Sequence, residues 1–141
     1  EEFATEIATY QERMKHYLKY RLTPDLPDWP VVCFYNMNKR RSGNDNWYEL
    51  DFDARKDLMQ GHRATGTKYR GRVLQLITGS TGLDDAEWGV TLFAKDMLDI
   101  KEIVYEMRFD EVSSRYGEFG EFYIAIQLPL DQLFTRLRLR D

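Results

Sequence analysis

Residues Asp51–Gly79 read DFDARKDLMQGHRATGTKYRGRVLQLITG. Their order predicts a helix, a turn and a strand. Asp53 is positioned to cap the helix, which is expected to run to His62 or Thr65, with Gly66 as the stop just past its end. Val73 to Thr78 then forms an apolar run with one amide, Gln75, at its centre. A buried amide is costly without a hydrogen-bond partner. His62, one of two histidines in the chain, and Gln75 therefore suggest a pocket with two functional faces.

Working outward, Val31 to Met37 is a nearly continuous apolar run, the pattern of a strand covered on both faces. Trp88 to Ala94 is a third strand and Phe122 to Leu128 a fourth. Asp96 starts a helix whose apolar face is Met97, Ile100, Val104 and Met107. The segment NKRRSGNDNWY reads as a loop and Gly79 to Asp85 as a hairpin turn. From Val31 the order is β-α-β-β-α-β, an α+β, ferredoxin-like split pattern with both helices on one face of an antiparallel sheet. The other face needs a cover. Before this unit lie a helix from Phe3 to Tyr20, with a stripe of Phe3, Ile7, Tyr10, Met14, Tyr17 and Leu18, and a proline-rich connector. After it, Pro129 opens a short helix with a stripe of Leu130, Leu133, Phe134 and Leu137. The expected division is 1–30, 31–128 and 129–141.

The chain has 141 residues, is 43% hydrophobic and 14% aromatic, and carries a net charge of -4. That length fits one domain, or one domain plus a fragment of another, with a sizeable core. The acidic balance argues against general nucleic-acid binding. No apolar run is long enough to span a membrane. Cys33, the single cysteine, sits in the run PVVCFY, reads as a buried strand thiol and fits the reducing cytoplasm. The chain opens without a starting methionine, which suggests a trimmed or partial chain.

On residue type alone several sites stay open. His62 is either an axial iron ligand or a surface histidine favourably placed near a helix end. His16 reads as an ordinary surface residue. Gln75 either donates to an anion or peroxide or faces outward. Tyr35 is either a redox-active phenol or strand packing. Arg21, Lys39 and Arg108 are carboxylate clamps or solvated charges. Phosphate-binding glycine loops, zinc-ligand spacings and a serine-nucleophile elbow are not found in the sequence.

Six segments taken in order, FYNMNKRR, NWY, LMQGH, GRVLQLITGSTGLDD, EWGVTLF and YEMRFDEVSSRYGEFG, resemble the coproheme decarboxylases, haem-biosynthetic members of the chlorite dismutase superfamily. The resemblance covers most of residues 21 to 123. It implies two ferredoxin-like halves whose sheets pack as a dimeric α/β barrel, commonly in pentameric rings. Residues 1 to 30 then match the end of the first half and the connector, which implies either a fragment or a split protein whose second chain supplies the rest of that half. The implied reaction is the hydrogen peroxide-dependent oxidative decarboxylation of coproheme to haem b, with coproheme (haem iron included) as both cofactor and substrate.

By that resemblance His62 matches the iron ligand and Tyr35 the tyrosine that takes hydrogen from a propionate. Lys39 matches the lysine near the second reactive propionate. Gln75 matches the distal glutamine of Firmicute-type enzymes. Arg21, Arg108 and Ser113 match propionate-binding positions, and Met37 lines the reactive edge. Glu111 is expected as the partner behind His62. Chlorite dismutases carry an arginine where this chain has Gln75, which favours the decarboxylase; a chlorite dismutase or peroxidase on the same fold is the first alternative and a non-catalytic haem-binding domain the second. Asn36 and Asn38 depart from the usual proline and serine, HRATGTKYRGR replaces a more standard glycine-rich turn, and the terminal IQLPLDQLFTRLRLRD has no family role.

Overall fold

The structure is a computed structural model that describes residues 2–83 and 85–139, with side chains from Thr5 onward; the expected contribution of Phe3 to the first stripe, Asp84 in the hairpin turn and the last two residues of the terminal segment lie outside these. Helix α1 (Glu2–Leu22) leads to strand β1 (Val31–Lys39), α2 (Phe52–Thr67), β2 (Val73–Gly79), β3 (Trp88–Ala94), α3 (Met97–Met107), α4 (Glu111–Tyr116), β4 (Gly117–Ile126) and α5 (Leu130–Arg136). The four strands form one antiparallel sheet in the order β2-β3-β1-β4. This is the arrangement that the β-α-β-β-α-β order requires.

The caps explain the helix starts. Asp51, not Asp53, caps α2, with its carboxylate accepting the Ala54 N–H at 2.8 Å. Asp53 sits in the first turn, where its charge favours the helix dipole. Gly66 does not stop α2. The helix runs through it to Thr67, and a Cβ at Gly66 would lie 3.0 Å from the Met107 methyl, so the small residue allows α2 and α3 to approach. Asp96 caps α3 as anticipated, through the Leu98 N–H at 2.8 Å.

The core lies between the sheet and these helices. Cys33, Tyr35, Val90, Leu92 and Ala94 from the strands pack with Ile100 and Ile103 of α3 and with Tyr69. Ile103 belongs to the apolar face of α3, whereas Met97 is exposed. β1 is covered on one face only: Cys33 and Tyr35 are buried while Phe34, between them, is 41% exposed and lies beside the exposed Tyr123 of β4. The run is apolar on both sides, and among the described residues only one side is covered. The stripes of α1 and α5 are likewise largely exposed.

β4 starts at Gly117, five residues before the expected Phe122, after a short helix α4 that periodicity did not reveal. Aromatic and charged residues are interleaved in EVSSRYGEFGEFY, which masks both elements. The pairing shifts register here: Tyr35 faces Phe122, but Met37 faces Phe119. Gly120 and Glu121 of β4 thus stand opposite the single Asn36 of β1, a bulge. A Cβ on Gly120 would fall 1.6 Å from the Asn36 side-chain oxygen and 3.3 Å from its carbonyl oxygen, so a larger residue there would displace the Asn36 side chain.

Candidate functional site

A cavity of about 200 Å³ opens between the sheet and helices α2 to α4. Its walls are mainly apolar, and seven of the eight anticipated residues line it: Tyr35, Met37, Lys39, His62, Gln75, Arg108 and Ser113. Arg21 does not. It is exposed on α1, with its guanidinium 5.9 Å from the Tyr17 ring centroid. Period-two alternation carries the strand residues there: Gln75 and Ile77 of β2 and Val90 and Leu92 of β3 share the face on which Tyr35 lies. The bulge adds Phe119 to the same wall as Phe122.

His62 comes from α2, three-quarters buried. Its Nδ1 lies 3.1 and 3.2 Å from the two carboxylate oxygens of Asp110. Asp110 also caps α4, accepting the Ser113 N–H and the Ser113 hydroxyl, each at 3.0 Å. A carboxylate against Nδ1 favours the tautomer with the proton on that nitrogen and leaves the Nε2 lone pair available as a donor. The expected partner, Glu111, is exposed and pairs with Arg115 at 2.6 Å. The two acids are adjacent, and the cap fixes which one turns inward: the N-cap residue points its carboxylate back over the first turn, where His62 also lies.

Two cations reach the cavity. Lys39 is 8% exposed, with its ammonium 4.8 Å from the Trp47 ring centroid. Burial pulls it down to about 8 from its usual value, against the opposing pull of Asp110 and Glu87. The Arg108 guanidinium lies 3.6 Å from the Phe119 centroid and 5.5 Å from that of Phe122. Tyr35 stacks on Phe122, centroids 4.2 Å apart. Burial, outweighing the nearby Arg108, pushes its phenol up to about 12, so it keeps its proton at neutral pH. Cys33 is fully buried and its thiol is raised by burial, in keeping with a packing role.

Sequence reasoning missed Trp47, Asp110 and Glu87 as contributors. For Asp110 a signal existed, since an aspartate just before a helix is a favoured N-cap. Trp47 is fixed by edge-on packing against Tyr116 at 5.4 Å, a contact across the fold that spacing does not encode.

Among the described residues, no group of three His, Cys, Asp or Glu side chains could hold a bare metal ion. A single imidazole in an apolar cavity with two cations instead fits a planar macrocycle that brings its own metal ligands and carries carboxylates. Among the described residues, no helix is long and apolar enough to cross a membrane.

The chain is 57% identical over 123 residues to a coproheme decarboxylase of Thermus thermophilus, covering 87% of this chain and 49% of the relative. It is 53% identical to that of Staphylococcus carnosus, with the same coverage. The chain therefore spans about half the length of these curated relatives. Among solved structures, a haem-binding protein of Thermus thermophilus superposes with a TM-score of 0.83 at 56% identity, over 86% of this chain and 49% of that one. A mutant chlorite dismutase of Candidatus Nitrospira defluvii gives a TM-score of 0.69 at 25% identity, over 89% and 51% respectively. A match to the chlorite dismutase family extends over residues 3–128, and this chain belongs to that family.

Proposed function

We propose that this protein binds coproheme in the cavity and takes part in its peroxide-dependent oxidative decarboxylation to haem b. The observation that carries the reading is the convergence of His62, backed by Asp110, with Tyr35, Lys39 and Gln75 on one apolar cavity. The names of the relatives at 53–57% identity point the same way. We assign residues 31–128 as the haem-binding unit, acting in the cytoplasm.

Each step converts a propionate carboxylate to a vinyl group and carbon dioxide, releasing two electrons and one proton. Hydrogen peroxide takes up two electrons and two protons to give two waters, so each carboxylate lost consumes one proton overall. Coproheme iron, when bound, supplies the site at which peroxide is reduced. The protein groups do the rest. His62, with its Nε2 free, would hold the iron, and Asp110 against Nδ1 would keep the proton on that nitrogen. The Tyr35 hydroxyl group, oxidised to a radical at the expense of the peroxide, would take one hydrogen atom from the propionate, and the second electron would pass to the same oxidant as carbon dioxide leaves. Lys39, tuned to about 8, supplies the consumed proton near the second propionate. Arg108 and Ser113 hold the unreacting carboxylates, and Met37 lines the edge. Ser113 has one hydroxyl proton and donates it to Asp110 at 3.0 Å, so holding a propionate requires it to redirect that bond. Gln75 offers a neutral amide and no cation, which disfavours an anionic oxychloride substrate. The exposed sheet face of Phe34 and Tyr123 suits a second sheet packed upon it, and a pentameric ring is the assembly we propose.

Coproheme and hydrogen peroxide added to the protein should yield haem b and two molecules of carbon dioxide per turnover. Coproheme that binds but loses no carbon dioxide would overturn the reading. A Tyr35→Phe variant that turns over like the parent would remove the radical role from that residue. The mass of the native assembly tests the ring.

A further inference from the structure

Glu87 is 2% exposed, and it stands behind the cavity wall without lining it. Four strand or loop segments meet at this residue. Its Oε2 accepts the Lys39 backbone N–H at 2.7 Å. Its Oε1 accepts from the Arg41 guanidinium and the Tyr48 hydroxyl. Its own N–H donates to the Asn38 side-chain oxygen at 2.7 Å, and its carbonyl accepts the Ser80 N–H at 2.8 Å. Burial alone would raise the carboxyl, but the three donors outweigh it and hold it below the usual range.

The contacts fall on both ends of one segment. Lys39 ends β1, and Tyr48 follows Trp47. Lys39 and Trp47 are the two residues of this segment that line the cavity, and they touch each other there. A buried carboxylate is weak evidence for stability, because an apolar replacement of similar volume often serves as well. What this one supplies is geometry: it closes the 39–48 segment on a single anion, so that an ammonium and an indole meet at a fixed point.

We infer that Glu87 is a positioning residue, which fixes the Lys39–Trp47 pair in the cavity and thereby sets the step that depends on Lys39. The kinetic part of this inference rests on the decarboxylase reading above; the positioning part does not. Glu87→Gln keeps an oxygen for the Lys39 N–H but places an amide donor where Arg41 and Tyr48 also donate. In the protein without coproheme, the Lys39 side-chain methylene resonances, shifted upfield by the Trp47 ring, should move back toward their free positions while the far-ultraviolet dichroism stays unchanged. With coproheme and peroxide, loss of the second carboxylate should slow by about ten- to a hundredfold, as for a misplaced catalytic group, and the three-propionate product should accumulate. In a Lys39→Met background the same change should cost less than about twofold, because the two act as one unit.

Lys39 resonances that do not move in Glu87→Gln would overturn the proposal. So would an equal loss of rate with and without Lys39. Should Glu87→Gln not fold, Tyr48→Phe removes one donor without stranding the carboxylate. It should then shift the Lys39 resonances in the same direction by a smaller amount, and no shift would overturn the proposal. A protein with no decarboxylase activity whose Lys39 resonances still move upholds the positioning and overturns only the reaction.

Discussion

Two carboxylates stand behind the cavity wall and govern it by different routes. Asp110 touches the functional side chain itself, the Nδ1 of His62, at 3.1 Å. Glu87 touches Lys39 through the main chain and otherwise holds that residue's neighbours. Asp110 comes from a helix cap, a position whose backbone would want a short polar side chain whatever the function. Glu87 comes from the entrance to a strand, where no local rule calls for a buried acid. The difference separates tuning an atom from placing a segment.

The sharpest way to break this comparison is to remove the group that Asp110 serves. His62→Ala should abolish the axial-ligand bands in the absorption spectrum of the coproheme complex. Its loss of affinity should exceed the roughly 10- to 100-fold typical of losing a supporting carboxylate. Retained bands would mean that the carboxylate supports something else. Next in size is Asp110 itself. Asp110→Asn keeps the cap, since asparagine caps as well as aspartate, but loses the charge against Nδ1. Iron affinity should fall by about tenfold or more with little change in thermal stability. Asp110→Ala should add a stability loss of about 1 kcal/mol from the missing cap, measured by denaturant unfolding. Equal unfolding midpoints for the two variants would show that the cap contributes nothing.

A smaller effect comes from pH on the Glu87 side. With Lys39 near 8, its ammonium is present below that pH and lost above it. The rate of the second decarboxylation should therefore fall as pH rises through about 8, while the first is less affected. The stability consequence has a defined sign. The folded value lies below the unfolded 10.5, so between about 8 and 10.5 the unfolded chain binds the extra proton and Lys39 contributes rising stability as pH increases. Lys39→Met should flatten both responses. The smallest effect belongs to the acid beside Asp110: Glu111→Gln loses only a surface pair with Arg115, and both stability and iron affinity should stay within about 0.5 kcal/mol of the parent.

The strands carried most of what was legible. Val73–Gly79 and Trp88–Ala94 announce themselves by apolar runs between turn residues, and their order defines the sheet. Seven cavity residues were legible because long ordered motifs carried them, not because any single residue type did. Arg21 illustrates the limit: a cation in the last turn of a helix looks like a clamp, yet where α1 lies is set by packing that the sequence does not state locally. Asp110 was misassigned by one position because two adjacent acids are equivalent until a cap chooses between them. Glu87 stayed silent because its partners lie 39 to 48 positions away, a separation that periodicity cannot see.

The bulge in β4 has a consequence for how this site can vary. A strand assigns its side chains to two faces by parity, and residues three apart belong to opposite faces. Phe119 and Phe122 are three apart and share the cavity wall. The extra residue beside Gly120 acts as a frameshift in that two-sided code. The Arg108 guanidinium contacts both rings, so its seat exists only in the shifted frame. Pairing the same residues without the bulge would send Phe119 to the far side of the sheet, and the arginine would lose its nearer ring with no side chain of the cavity having been substituted. Deleting the extra residue would instead leave the two rings two apart and still on one face. The irregularity of this strand is thus as much a part of the binding site as residue identity.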